Sequence, residues 1–132
     1  MHSHQEVFVD WLLELVAIER VELIVIAGDV YDRAVPPAES VRLFNRALVD
    51  VSAVCPVFVT PGNHDSAIRL GFGSELMRTN GVHIRSEISE INVPLEIRGS
   101  DGTNLVVYGI PYLQPEVVFN ELESERSHTG VL

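Results

Sequence analysis

Two short apolar runs, each ending abruptly on a glycine beside carboxylate or amide side chains, constrain this chain more than any other feature. The first, Val21-Glu22-Leu23-Ile24-Val25-Ile26-Ala27, runs into Gly28-Asp29-Val30-Tyr31-Asp32-Arg33. The second, Val57-Phe58-Val59-Thr60, runs into Pro61-Gly62-Asn63-His64-Asp65. Continuous β-branched runs of this length read as strands covered on both faces of a parallel sheet. Open α/β sheets build their sites just beyond the carboxyl ends of such strands. Between the runs, Pro36-Pro37 leads into Val41, Phe44, Leu48 and Val51, spaced as the buried stripe of a helix. The expected unit is therefore β-α-β, in which parallel strands deliver Asp29 and Asn63-His64 to one edge although they lie some thirty positions apart.

The flanking sequence extends this α/β reading. Residues 7–19 suggest an amphipathic helix with Phe8, Trp11, Leu12, Leu15 and Ile18 as its inward stripe. After the second motif, residues 66–78 suggest a helix stopped at Asn80-Gly81, then a short strand at 82–84. Ile91, Val93, Leu95 and Ile97 alternate as in a half-buried strand. The turn cluster at 99–104 then returns the chain through Leu105–Ile110 as an antiparallel partner. Residues 114–132 are acidic and without clear periodicity.

Composition narrows the function. The 132 residues are 46% hydrophobic with a formal charge of −10, and the nine basic residues are all Arg. A surface this acidic repels phosphate backbones, which argues against a stand-alone nucleic-acid clamp. It does not exclude a nuclease, because carboxylates that hold cations attract phosphate once loaded. No apolar stretch approaches the roughly 20 residues of a membrane helix. A single cysteine, Cys55, rules out an internal disulfide and, with no signal-peptide pattern, leads to an expected cytoplasmic location.

The chemistry of the two motifs follows from their donor types. Gly28 permits a tight turn that brings the Asp29 carboxylate to the sheet edge, and a carboxylate can bridge two cations. Asn63 offers a neutral amide oxygen to a metal. His64 can act on a charged phosphate or a leaving oxygen, and Asp65 can orient its imidazole. Gly-Asp after a strand is also a common turn or helix cap, and Asn and Asp are favoured turn formers. The pairing of both motifs one crossover apart is what tips the reading toward a site.

These residues resemble the calcineurin-type metallophosphoesterases, whose motifs run Asp-x-His, Gly-Asp-x-x-Asp, Gly-Asn-His-Asp/Glu, a lone His, then Gly-His-x-His. Residues 28–33 with Pro36-Pro37, residues 62–66, residues 8–13 and Tyr108-Gly109-Ile110-Pro111-Tyr112 are most similar to the nuclease subunits of bacterial SbcCD-type repair complexes. The resemblance spans about residues 5–119. It implies part of an α/β/β/α sandwich, with a β-α-β core followed by a β-hairpin. It implies that Asp29 is the metal-bridging carboxylate and Asn63 a ligand of the second metal. His64 would be the catalytic residue acting on phosphate, with Asp32 and Asp65 in support. The implied cofactor is two divalent ions, Mn2+ by preference. The implied reaction is phosphodiester hydrolysis on DNA, as endonuclease and exonuclease, with an SbcC-like ATPase subunit as partner and a homodimer as the possible assembly.

Neither Asp-x-His nor Gly-His-x-His occurs in the sequence. The expectation is thus a partial domain that is at best a weak nuclease alone. Two other readings stay open: a calcineurin-like phosphoesterase acting on nucleotides or phosphomonoesters, and a non-catalytic remnant with an uncovered apolar face or sheet edge. Several residues read as structural. His2-Ser3-His4 imitates half a metal motif at a chain end. Cys55 reads as a small core residue. His83 has no ligand partner at useful spacing, and Arg33 is placed to pair with Asp32 or Glu39. Trp11 and Phe44 read as core, and His128 has no assigned role.

Overall fold

A computed structural model describes residues 3–121. The order of elements is α1 (His4–Ile18), β1 (Ile24–Ala27), α2 (Ala38–Ser52), β2 (Val57–Thr60), α3 (Ala67–Leu70), α4 (Ser74–Arg78), β3 (Val82–Ile84), a 3-10 turn (Ile88–Glu90), β4 (Leu95–Arg98) and β5 (Asn104–Val107). Strands β1, β2 and β3 form a parallel sheet in that order, and β4 and β5 a separate antiparallel hairpin. The fold is the mixed α/β class expected, a β-α-β unit extended by a third strand and followed by a hairpin. Residues 115–121, within the stretch read as aperiodic, are helical. The remainder of that acidic stretch, with His128, and His2 lie outside the described residues.

One face of the sheet carries the core. Val57, Val59, Val82 and Ile84 pack there with Val16 of α1, Leu48 and Val51 of α2, Cys55 and Leu70. Ile24 and Ile26 of β1 and Phe44 pack around this cluster, partly buried. Cys55 is a buried free thiol, pushed upward in pKa by its burial. Side chains alternate along a strand, so Phe58 and its cross-strand partner His83 face the opposite side. There the chain following β5 closes over Phe58, and a Cβ on Gly109 would sit 2.7 Å from the Phe58 ring and 2.9 Å from Thr60.

Arg85, just past β3, lies beside Phe58 with its guanidinium carbon 5.6 Å from the ring centroid. It is 3% exposed; Nε donates to the Val93 carbonyl, while Nη1 has no partner among the described residues. Burial and then Arg85 and Arg78 lower the pKa of His83.

The helices depart from their expected faces. In α1 the buried residues are Val9 and Val16, with Leu12 and Leu13 packed against the core, whereas Phe8, Trp11 and Ile18 are 56%, 53% and 75% exposed. The reading of Trp11 as core is therefore corrected. This helix is apolar around most of its circumference, so spacing cannot say which side turns inward. It also starts earlier than expected because Ser3 caps it: its hydroxyl accepts the Glu6 N–H and the Glu6 carboxylate accepts the Ser3 N–H. In α2, Leu48 and Val51 are buried as expected but Val41 is 43% exposed. The single helix expected over 66–78 is two short ones, divided at Gly71-Phe72-Gly73, where Gly73 has φ +72°. The hairpin strands are shorter than expected: Ile91 and Val93 lie outside β4, which begins at Leu95, and β5 ends at Val107.

Two outcomes test this packing. Gly109→Ala must displace an aromatic ring, and over-packing of this kind costs about 1–3 kcal/mol; the loss should appear as a lower urea midpoint and shrink when combined with Phe58→Leu. For His83, the folded pKa lies below its ordinary 6.5. The unfolded chain then binds more protons between those two values, so stability should rise with pH through that window and be lost below it. Urea titrations across the window should show this slope in the native chain and not in His83→Gln.

Candidate functional site

The register of β1 against β2 pairs Ala27 with Thr60, so the two motif loops leave the sheet side by side. The Gly28 N–H donates to the Thr60 carbonyl at 2.9 Å, the last backbone bond before the loops begin. Gly28 and Asp29 then both take positive φ, +85° and +48°. The left-handed region is costless for glycine and tolerated by Asp, whose short side chain is among the few that visit it. This turn throws the Asp29 carboxylate sideways over Gly62. A Cβ on Gly62 would fall 2.2 Å from Asp29 Oδ1 and 2.4 Å from the Asp29 backbone nitrogen. Glycine at 62 is thus a steric requirement of the Asp29 position.

Asp65 holds the two loops together. It is 5% exposed, and its carboxylate accepts three backbone N–H groups: Val30 at 3.0 Å, Tyr31 at 2.8 Å and Gly62 at 2.8 Å. Two of these lie in the first motif and one in the second. Bonds from amides to a charged acceptor are worth about 1.5–3 kcal/mol each. The expectation that Asp65 orients the His64 imidazole gives way to this backbone role. The carboxylate near the imidazole is that of Asp29: Oδ2 lies 3.9 Å from His64 Nδ1, and Oδ1 accepts the His64 backbone N–H at 3.2 Å. Both side chains are about half exposed, at 50% and 53%. Tyr31 packs edge-on against Phe44, with ring centroids 5.6 Å apart. Burial and then the Asp65 charge raise its phenol pKa, keeping it neutral.

Asp29 and Asn63 line an open cleft of about 360 Å³ with Gly28 and Gly62. Its far wall is Ile110, Pro111 and Tyr112, held in place by the Tyr112 N–H donating to the Pro61 carbonyl at 3.0 Å. The structure therefore brings Asp29, Asn63 and His64 together and gives Asp65 a structural place beside them. Asp32 is not part of this group: it is 86% exposed and pairs with Arg33 at 3.6 Å. The backbone clasp made by Asp65 was invisible in the sequence, since the acceptor's partners are amides carried by any residue type. The far wall was foreshadowed only by the Tyr-Gly-Ile-Pro-Tyr stretch.

A comparison with protein families matches residues 1–129 to the family described as Calcineurin-like phosphoesterase. The chain belongs to that family, and its class of chemistry is metal-dependent phosphoester hydrolysis. Members typically bind two divalent metals. Two such ions each ask for about six oxygen or nitrogen donors. Among the described residues, no group of three or more His, Cys, Asp or Glu side chains converges to hold a metal ion. The described residues thus do not fit a dinuclear centre by themselves; the Asp29 carboxylate and the Asn63 amide are the oxygen-bearing side chains that the two motifs place along this cleft.

The clasp and the cleft carry different weight for folding. Asp65→Asn leaves one oxygen and an amide group facing three N–H donors, and should cost about 2–4 kcal/mol. Asp29→Asn should cost less than about 0.5 kcal/mol, because the site is exposed and Asn adopts positive φ readily. Urea denaturation of the two variants beside the native chain checks the contrast.

Proposed function

We propose that this chain contributes the Asp29–Asn63–His64 edge of a phosphodiesterase site acting on DNA, as an SbcD-type nuclease subunit working with an SbcC-like ATPase. The observation that supports this most directly is the convergence of the two motif loops, clasped by Asp65, with a carboxylate, an amide and an imidazole along one exposed edge. The placement of Ile110, Pro111 and Tyr112 adds to it, because these residues of the stretch that resembles SbcD in sequence also wall the cleft. Asn63 and Asp29 are the proposed metal-binding residues, manganese being the preferred ion, and His64 the proposed catalytic residue toward phosphate. Asp65 supports the site through the backbone, and Asp32 sits too far into solvent to share that duty in this arrangement.

An acidic chain gains little affinity for a polyanion by itself, so the grip on DNA falls to the ATPase partner. With manganese, the chain mixed with an SbcC-type ATPase should cleave DNA, and the chain alone should cleave it at least about 100-fold more slowly, since an acidic surface by itself holds a polyanion weakly. Asp29→Asn should abolish the activity of the mixture. Equal activity in Asp29→Asn, or hydrolysis confined to phosphomonoesters and mononucleotides, would overturn the proposal.

A further inference from the structure

The cleft at Asp29 shares its Pro61-Gly62-Asn63 floor and its Pro111-Tyr112 wall with a larger cavity of about 690 Å³. This size falls within the roughly 300–1,000 Å³ of small-molecule sites. The larger cavity lies between the broken helix α3–α4 and the 3-10 turn, and Asn63 stands where the two spaces meet. A group esterified to a phosphate at the Asp29–His64 edge has this cavity as its adjoining space.

The cavity wall is fixed by contacts within the protein. Glu90 accepts the backbone N–H groups of Ser86 and Glu87 at 3.0 and 3.2 Å, and its other oxygen lies 3.9 Å from Arg78 Nη2. The end of α3 is pressed against this wall: a Cβ on Gly71 would fall 2.4 Å from Ser86 Oγ. The opposite side offers apolar surface, with Ile68 88% and Tyr112 51% exposed. Ser66, Ser74, Ser86 and Ser89 also line the cavity, with the Ser66 hydroxyl accepting the Arg69 N–H and the Ser89 hydroxyl donating to Glu87. Such a lining suits a flat or ring-shaped group that carries hydroxyls.

Its electrostatics are one-sided. Among the described residues, those with charged side chains that line the cavity are Asp65, Glu75, Glu87, Glu90, Glu121 and Arg78, the Asp65 carboxylate being taken up by backbone amides. Screening over about 10 Å at 0.1 M salt leaves a bound group within the field of most of them. Further phosphates on that group would meet more negative than positive charge along the wall formed by Glu75, Glu87 and Glu90.

We propose that this cavity receives the uncharged, hydroxyl-bearing group esterified to the reacting phosphate, and rejects groups that carry additional phosphates. The proposal rests on the phosphoester reading above. On a nucleic-acid strand the group that meets both conditions is the terminal nucleoside.

Binding without hydrolysis tests it. In metal-free buffer at low salt, adenosine should shift the backbone amide resonances of Ser74, Ser86 and Tyr112 saturably. Adenosine 5′-diphosphate should bind at least about tenfold more weakly, and the gap should narrow as salt rises, as expected for screened repulsion. Glu75→Lys, a change on an exposed side chain, should reduce the discrimination to about threefold or less by reversing one wall charge. Ile68→Asp should weaken adenosine without unfolding the protein, its side chain being solvent-exposed. No saturable shift with adenosine, or equal or tighter binding of the diphosphate, would overturn the proposal. Because this readout needs neither metal nor turnover, loss of nucleoside selectivity alongside manganese-dependent DNA cleavage would sink the cavity assignment alone. Intact selectivity without cleavage would sink the nuclease reading alone.

Discussion

The candidate site exists because one buried carboxylate is shared between two loops. Asp65 accepts amides from Val30 and Tyr31 on one side and Gly62 on the other, and so closes the gap between the loops beyond the last β1–β2 backbone bond. Everything exposed at the edge depends on that closure. Asp29 takes its left-handed backbone over a residue with no side chain, and the His64 backbone is then close enough to donate to Asp29 Oδ1. A buried anion is costly unless its oxygens are satisfied, and three N–H donors meet that condition here. Asp65, read from the sequence as a supporting residue beside His64, is by its contacts the one that holds the backbone in place.

The second sheet face shows the same economy of means. Gly109 lets the chain after β5 lie directly on Phe58, and from there Pro111 and Tyr112 reach the second motif loop, where Tyr112 bonds to Pro61. Arg85 flanks Phe58 with a guanidinium left partly unsatisfied, which makes this face the less settled of the two energetically. The hairpin turn is tied back to the sheet by Glu22, which accepts the Ser100 N–H at 2.6 Å. A wall of the candidate site is thus placed by contacts on the far side of the sheet from the main core.

Much of this was legible beforehand, and the gaps have physical causes. Short β-branched runs ending in glycine identified β1 and β2, and parallel pairing placed Asp29 beside Asn63-His64 without any knowledge of their side-chain contacts. Spacing on α1 placed Leu12 inward correctly but failed on Phe8, Trp11 and Ile18, because the helix is apolar on several faces and packing against α2 and the sheet selects the one with Val9, Leu12, Leu13 and Val16. It failed on 66–78 because Gly71 and Gly73 break the helix, and a glycine in a helical pattern does not announce which way the chain turns. Asp32 fits a motif by position, yet its backbone turns its carboxylate to solvent and to Arg33.

The sequence by itself determined the class of fold, the two loops that matter and the donor types they carry, because strand-forming runs and glycine-linked turns are local properties of the chain. It also determined that the protein is acidic and that Asp29 and Asn63 stand at the motif positions where the resemblance implies metal ligands. Tertiary structure decided what each side chain does there. It turned Asp65 inward to backbone amides, left Asp29 and His64 half exposed at 3.9 Å, and set a second, carboxylate-lined cavity beside Asn63. Those outcomes depend on which amides and surfaces meet after the strands have paired, and residues some thirty positions apart in sequence carry no record of that meeting until the sheet forms.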